Sequence, residues 1–133
     1  MKHFIALLFL CLTACASSFD KVDRGGNVFE YLTDVDKIDA HHEQIKIEGW
    51  CISACTVKLG AKNVCIYPDA TLYFHQASDS KTGIRSDLGT LLMYDEYPPK
   101  IQKWVTEHKA LDHEYLTSMS GTEAISLGIK ECK

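Results

Sequence analysis

The sequence predicts one α/β domain, and three observations carry that prediction. Short runs rich in apolar and β-forming residues recur at residues 44–49, 64–67 and 71–74. Apolar residues spaced three to four apart mark helices at 28–35, 88–97 and 101–111. The chain has 133 residues, which suits one hydrophobic core rather than two. Strands interleaved with helices place the helices against a sheet.

Each element has a local reason. Arg24-Gly25-Gly26-Asn27 is a strong turn signal, and Gly26 or Asn27 can start the helix carried by Val28, Tyr31, Leu32 and Val35. His41 and His42 read as solvated loop residues, because adjacent side chains point apart on any regular element. Residues 44–49 alternate polar and apolar, as a half-buried strand does. Residues 53–61 are small and apolar, the pattern of a short helix with Ser53 at its start. The strand at 64–67 stops at Pro68-Asp69, and the strand at 71–74 ends on His75. Residues 76–87 read as a polar surface loop. The next helix stops before Pro98-Pro99, and Ile101, Trp104, Val105, His108 and Leu111 mark an amphipathic successor. Ser120 with Glu123 three residues on resembles a capping box for a last short helix. Gly128 ends that helix, and residues 129–132 form a final strand.

Composition excludes some functions. The formal net charge is −4, and no basic run or aromatic-basic stripe is present, so nucleic acid is not an expected partner. No motif asks for a cofactor or a metal. Residues 1–15 have the layout of an export signal: Lys2 and His3, an apolar run from Phe4 to Leu12, then small residues. Leu12-Thr13-Ala14-Cys15 resembles a bacterial lipobox, which would make Cys15 the lipidated mature N-terminus. Cleavage after Ala16 is the ordinary alternative, with Ser17 as the first residue. The lipobox is favoured because the short apolar run ends directly on it. The expected location is therefore the periplasm, either anchored to a membrane through lipid or free. Residues 16–133 form the expected single domain.

Export leaves Cys51, Cys55, Cys65 and Cys132, since Cys11 and Cys15 fall in the signal segment. Four cysteines in a small exported domain imply disulfides, with three connectivities open. The spacing does not form two CxxC knuckles, which disfavours zinc. Cys51 and Cys55 are spaced CxxxC, which makes a thiol-redox role a distant third reading.

The chemistry-bearing candidates are Ser53 and His75. A serine hydroxyl needs an adjacent base to act as a nucleophile near neutral pH. A strand–serine–helix–strand–histidine order can bring the two within hydrogen-bond reach across neighbouring strands. Taken alone, Ser53 is a helix cap and His75 a hydrogen-bonded residue at a strand end.

The order of motifs resembles the ClpP/crotonase superfamily, and more closely its small exported ClpP-like members with a Gly-x-Cys-x-Ser-Ala-Cys segment. The resemblance rests on Arg24-Gly25-Gly26-Asn27, on residues 49–55, on residues 64–77 with Pro68-Asp69-Ala70 and Phe74-His75-Gln76-Ala77, and on Met119-Ser120-Gly121-Thr122-Glu123-Ala124 with Leu127-Gly128-Ile129. It implies a reduced fold of repeated strand-strand-helix units. It also implies acyl transfer: Ser53 attacks a carbonyl of a peptide or acyl substrate, His75 moves the proton, and the Gly26 and Ala54 amides hold the oxyanion. Leu116 stands at the position matching the family's acid, with Asp112 and Glu114 upstream. A Ser–His dyad is therefore expected rather than a triad. Little chain precedes the glycine pair, so self-association is an expected way to complete the domain. The contrasting reading is a non-catalytic ClpP-like interaction or structural lipoprotein.

Overall fold

The structure, a computed structural model, describes residues 21–133. The signal segment, the lipobox Cys15 and the alternative start at Ser17 lie outside the described residues. The chain runs β1 (Val22–Asp23), α1 (Val28–Ala40), β2 (Ile45–Ile47), β3 (Trp50–Ile52), a 3-10 helix (Ser53–Gly60), β4 (Val64–Ile66), β5 (Thr71–Phe74), α2 (Asp87–Glu96), α3 (Pro99–Glu107), β6 (Thr117–Ser120), α4 (Gly121–Ser126) and β7 (Lys130–Glu131). This is a mixed α/β architecture, as the patterning predicts.

The strands form two sheets. One has the order β1-β3-β5-β6, with β1, β3 and β5 parallel and β6 antiparallel to β5. The other, β2-β4-β7, is parallel throughout. From β2 to β5 the chain alternates between the sheets. It crosses at Gly49, whose φ of 62° suits a residue without a Cβ. It crosses again at the turn closed by Ala70 N–H to Tyr67 O at 3.0 Å. The apparent single strand at 44–49 is thus β2 plus a crossing into β3.

Helix starts follow their capping residues. The Asn27 side chain accepts from the Phe29 amide at 2.9 Å, and the Ser86 hydroxyl accepts from the Gly89 amide at 3.1 Å. Pro99 occupies the first turn of α3, where its missing N–H is not needed. Ser120 caps α4 through the Glu123 amide at 3.0 Å. The reciprocal half of a capping box is not made. The Glu123 carboxylate accepts instead from the Trp104 indole at 2.8 Å, giving a nearly buried N–H its partner.

Phe74, Leu72, Ile66, Leu59, Met93, Ile101 and Met119 fill the core. α2 crosses close to the end of the 3-10 helix: a Cβ at Gly60 would lie 2.2 Å from the Glu96 carbonyl oxygen. Besides β3, two elements escape the sequence patterning. β1 lies in a polar lead-in, and β6 reads Thr-Ser-Met-Ser, where only Met119 is buried. An edge strand with one inward apolar residue has too little alternation to be recognised.

The four cysteines pair as Cys51–Cys55, with Cα atoms 5.3 Å apart, and Cys65–Cys132, at 4.9 Å. No helix among the described residues is long and apolar enough to cross a membrane.

Candidate active site

Ser53 stands where β3 gives way to the 3-10 helix, with φ at +59°. A non-glycine residue in the left-handed region costs on the order of 1 kcal/mol or more and persists only where its surroundings hold it. Three features hold this one. The buried Cys51–Cys55 disulfide closes over it from both sides. The Thr56 hydroxyl donates to the Ser53 carbonyl at 2.7 Å. Because that carbonyl can only accept, Thr56 has no proton left, and the Tyr97 hydroxyl donates to Thr56 Oγ1 at 2.6 Å. Burial pushes the Tyr97 phenol up, so it remains a donor across the ordinary pH range.

The third support is the glycine loop. Gly25, at φ +75°, packs on the turn so closely that a Cβ would meet Ile52 O at 2.5 Å and Ser53 Cβ at 3.1 Å. No L side chain fits there. Asp23 fixes this loop. Its carboxylate accepts from the Gly25 amide at 3.0 Å, from Lys58 Nζ at 2.7 Å and from the Tyr31 hydroxyl. Burial pushes the Asp23 carboxyl up, but the Lys58, Tyr31 and Gly25 bonds outweigh it and hold the group below its usual range. Burial and the bond to Asp23 push the Tyr31 phenol up. The loop, α1 and the 3-10 helix are thereby tied at one carboxylate.

His75 follows the last residue of β5. Its neighbours are anchored: the Gln76 amide donates to His113 O at 2.9 Å, and the Ala77 amide donates to Thr90 Oγ1 at 3.0 Å. The imidazole is half-buried, and this desolvation lowers its pKa below 6.5. It therefore stays neutral, the form able to accept a proton.

Ser53, His75 and Gly26 line one cleft of about 560 Å³, between the Arg24–Phe29 segment and the Ala77–Ser80 segment with Ser86 and Gly89. Ala54 is fully buried behind Ser53, and its amide lies in the first turn of a helix that no side chain caps. The Ser53 hydroxyl itself caps nothing. No hydrogen bond joins Ser53 to His75 among the described residues, so the expected contact is not made in this state.

No carboxylate among the described residues bonds to His75 either. The β5–β6 register ends with Phe74 opposite Thr117, and Leu116 lies one residue before β6. Leu116 is about half exposed. Asp112 lines a separate groove between α2 and α3, and Glu114 makes no bond to the imidazole. His75 feels burial alone.

Sequence reasoning singled out Ser53, His75, Gly26 and Ala54 but missed Asp23, Tyr31, Lys58, Thr56 and Tyr97. The Tyr31 and Lys58 partners lie 8 and 35 residues from Asp23, and no local motif announces such a pairing.

No family model matches the chain, and no curated protein matches it.

Proposed function

We propose that this protein is an exported serine hydrolase of the ClpP/crotonase-like type, peptidase-like in substrate, working through Ser53 and His75. The observation that carries the reading is the conformation of Ser53. It is held at positive φ by a disulfide and a buried hydrogen-bond chain, yet its hydroxyl serves no capping role. Local strain maintained beside a cleft is characteristic of functional positions. The reduced strand-strand-helix reading is supported by the alternation of β2 to β5 between two sheets.

In this reading Ser53 Oγ attacks the substrate carbonyl carbon while its proton passes to a ring nitrogen of His75. The carbonyl oxygen takes up the electron pair, and the amides of Gly26 and Ala54 stabilise it. In serine proteases one such donor is worth about 3 kcal/mol. His75 then gives the proton to the leaving group as the carbon–heteroatom bond breaks, and water releases the acyl group by the reverse proton path. Ser53 and His75 close to hydrogen-bond distance when substrate fills the cleft, because catalytic contacts are often long in unoccupied sites. Export is supported by the two disulfides, which persist in oxidising compartments. The lipid anchor at Cys15 and self-association belong to the same proposal.

A second reading, a ClpP-like interaction domain without turnover, is favoured by one observation: His75 has no carboxylate among the described residues to fix its tautomer. Loss of the acid from a serine protease triad lowers turnover by about 10⁴, so activity here is weak. A fluorophosphonate probe separates the two readings. Labelling is expected at Ser53, absent in Ser53→Ala and strongly slowed in His75→Ala. A wild-type chain that takes up no probe leaves the interaction domain as the better account.

A further inference from the structure

One charged group on the cleft wall has no partner among the described residues. Arg24 lines the cleft with Ser53 and His75. Its guanidinium makes no hydrogen bond or ion pair among the described residues. The nearest acid in sequence, Asp23, is already committed to Lys58, Tyr31 and the Gly25 amide. The other cleft-lining carboxylate, Asp79, is engaged by its own loop. Its Oδ1 accepts from the Lys81 amide at 2.9 Å, the Thr82 amide at 2.8 Å and the Thr82 hydroxyl at 3.0 Å. The five donors of its fixed planar fork thus have no partner among the described residues.

The backbone that carries Arg24 is anchored on both sides. Asp23 is held by three bonds, and Gly25 packs against the Ser53 turn. Arg24 is thus presented beside the candidate nucleophile by an ordered segment, which limits the cost of ordering on binding.

We propose that Arg24 is a specificity-determining residue that binds a carboxylate of the substrate, so that the cleft selects peptides or esters with an acidic group close to the scissile bond. For turnover this rests on the hydrolase reading of Ser53 and His75, whereas the recognition is itself a binding property. A guanidinium and a carboxylate match in two parallel N–H···O bonds, each stronger than a neutral hydrogen bond. An amide of the same shape offers one acceptor and no charge. The carboxylate comes either from an acidic side chain or from a peptide C-terminus.

The test uses the full chain carrying Ser53→Ala, which binds without turnover. Four N-acetylated peptides of one sequence are titrated by calorimetry, with Glu or Gln at one position and a free acid or amide at the C-terminus. The carboxylate-bearing members are expected to bind about tenfold tighter than their amides, and the pair that shows the gap identifies the source of the carboxylate. The gap shrinks in high salt. It disappears when Arg24→Gln is added and is partly retained with Arg24→Lys, which keeps the charge but not the fork. Equal affinities, no binding by the acidic peptides, or a gap that survives Arg24→Gln overturns the proposal. Fluorophosphonate labelling of the wild-type chain is scored separately. An affinity gap without labelling removes the hydrolase reading and keeps the recognition site, while labelling without a gap does the reverse.

Discussion

The two disulfides hold two different kinds of structure. Cys65–Cys132 joins β4 to the segment after β7, across a sequence separation of 67. Cys51–Cys55 spans a separation of 4, from β3 into the 3-10 helix. A cross-link over a long loop acts mainly on the unfolded chain, whose freedom it removes. A cross-link over five residues removes little of that freedom but fixes the backbone between its ends, and Ser53 lies at the middle of it. The second sheet is therefore stapled for stability and the first for local geometry. If the hydrolase reading holds, stability and probe reactivity should respond to different clasps.

The largest expected effect is at the long clasp. Replacing Cys65 and Cys132 by Ala should cost about 4 kcal/mol of unfolding free energy, by the loop-length dependence of cross-linking. Urea unfolding measures it. Below the transition, labelling of Ser53 should proceed at close to the wild-type rate. A large loss of labelling in the folded double variant would break the comparison, because the remote clasp would then be shaping the Ser53 turn.

The short clasp comes next. The variant with Cys51→Ala and Cys55→Ala should lose about 2 kcal/mol by the same dependence. Its labelling rate should fall at least about tenfold, since a nucleophile displaced by an ångström loses on the order of 10². Unchanged labelling would mean that the Thr56–Tyr97 chain and Gly25 suffice to hold the turn.

The same contrast explains what could be read from the chain. α1 was legible because Asn27 and a helical repeat lie side by side in sequence. So was the pairing of all four cysteines in disulfides, though not which pairs with which, because spacing says nothing about how β4 and β7 meet. Ser53 and His75 were visible because each sits at the junction of a recognisable run. The supports of the turn were not. Thr56 and Tyr97 look like an ordinary small residue and an ordinary core aromatic until the fold brings them together. The 3-10 form of residues 53–60 also escaped: a compact run of small residues suits an α-helix equally, and tertiary packing decided between them. The loop at 76–87 proved more ordered than its polarity suggests, with Ser78 bridged to Arg85 and Arg85 donating to Gln76 Oε1 and Leu111 O at 2.8 and 2.9 Å.

Asp23 gives a smaller effect and the same diagnosis. Its folded pKa lies below the ordinary 3.8, so its stabilisation is present above that value and is lost as pH falls through the folded one. Asp23→Asn should flatten this acid limb, with a cost near neutral pH of about 1 kcal/mol for a partly exposed charge pair. Labelling should suffer more than stability, because the Gly25–Gly26 loop loses its anchor. A variant with lowered acid sensitivity but wild-type labelling would show that the loop holds its place without the carboxylate.

The smallest expected effect concerns His75, which bonds to no carboxylate among the described residues. Burial lowers the imidazole pKa below 6.5, so the unfolded chain takes up the proton first as pH falls. Between 6.5 and the folded value the unfolded state binds more protons, and stability therefore declines with falling pH. In the hydrolase reading the same titration governs chemistry, since only the neutral ring accepts the Ser53 proton. The labelling rate should accordingly rise with pH about a midpoint below 6.5, and the Cys65→Ala, Cys132→Ala variant should share that midpoint. A carboxylate at the matching place should reverse the shift. Leu116→Asp puts an acid directly before β6, whose Thr117 faces Phe74, the neighbour of His75. An anion there favours the imidazolium, so the midpoint should move upward by a fraction of a unit, limited by the exposure of position 116. The maximal rate should increase as the ring gains a partner. A midpoint that ignores Leu116→Asp would place the two side chains out of mutual reach, and the dyad would then be a consequence of the local backbone rather than of one missing residue.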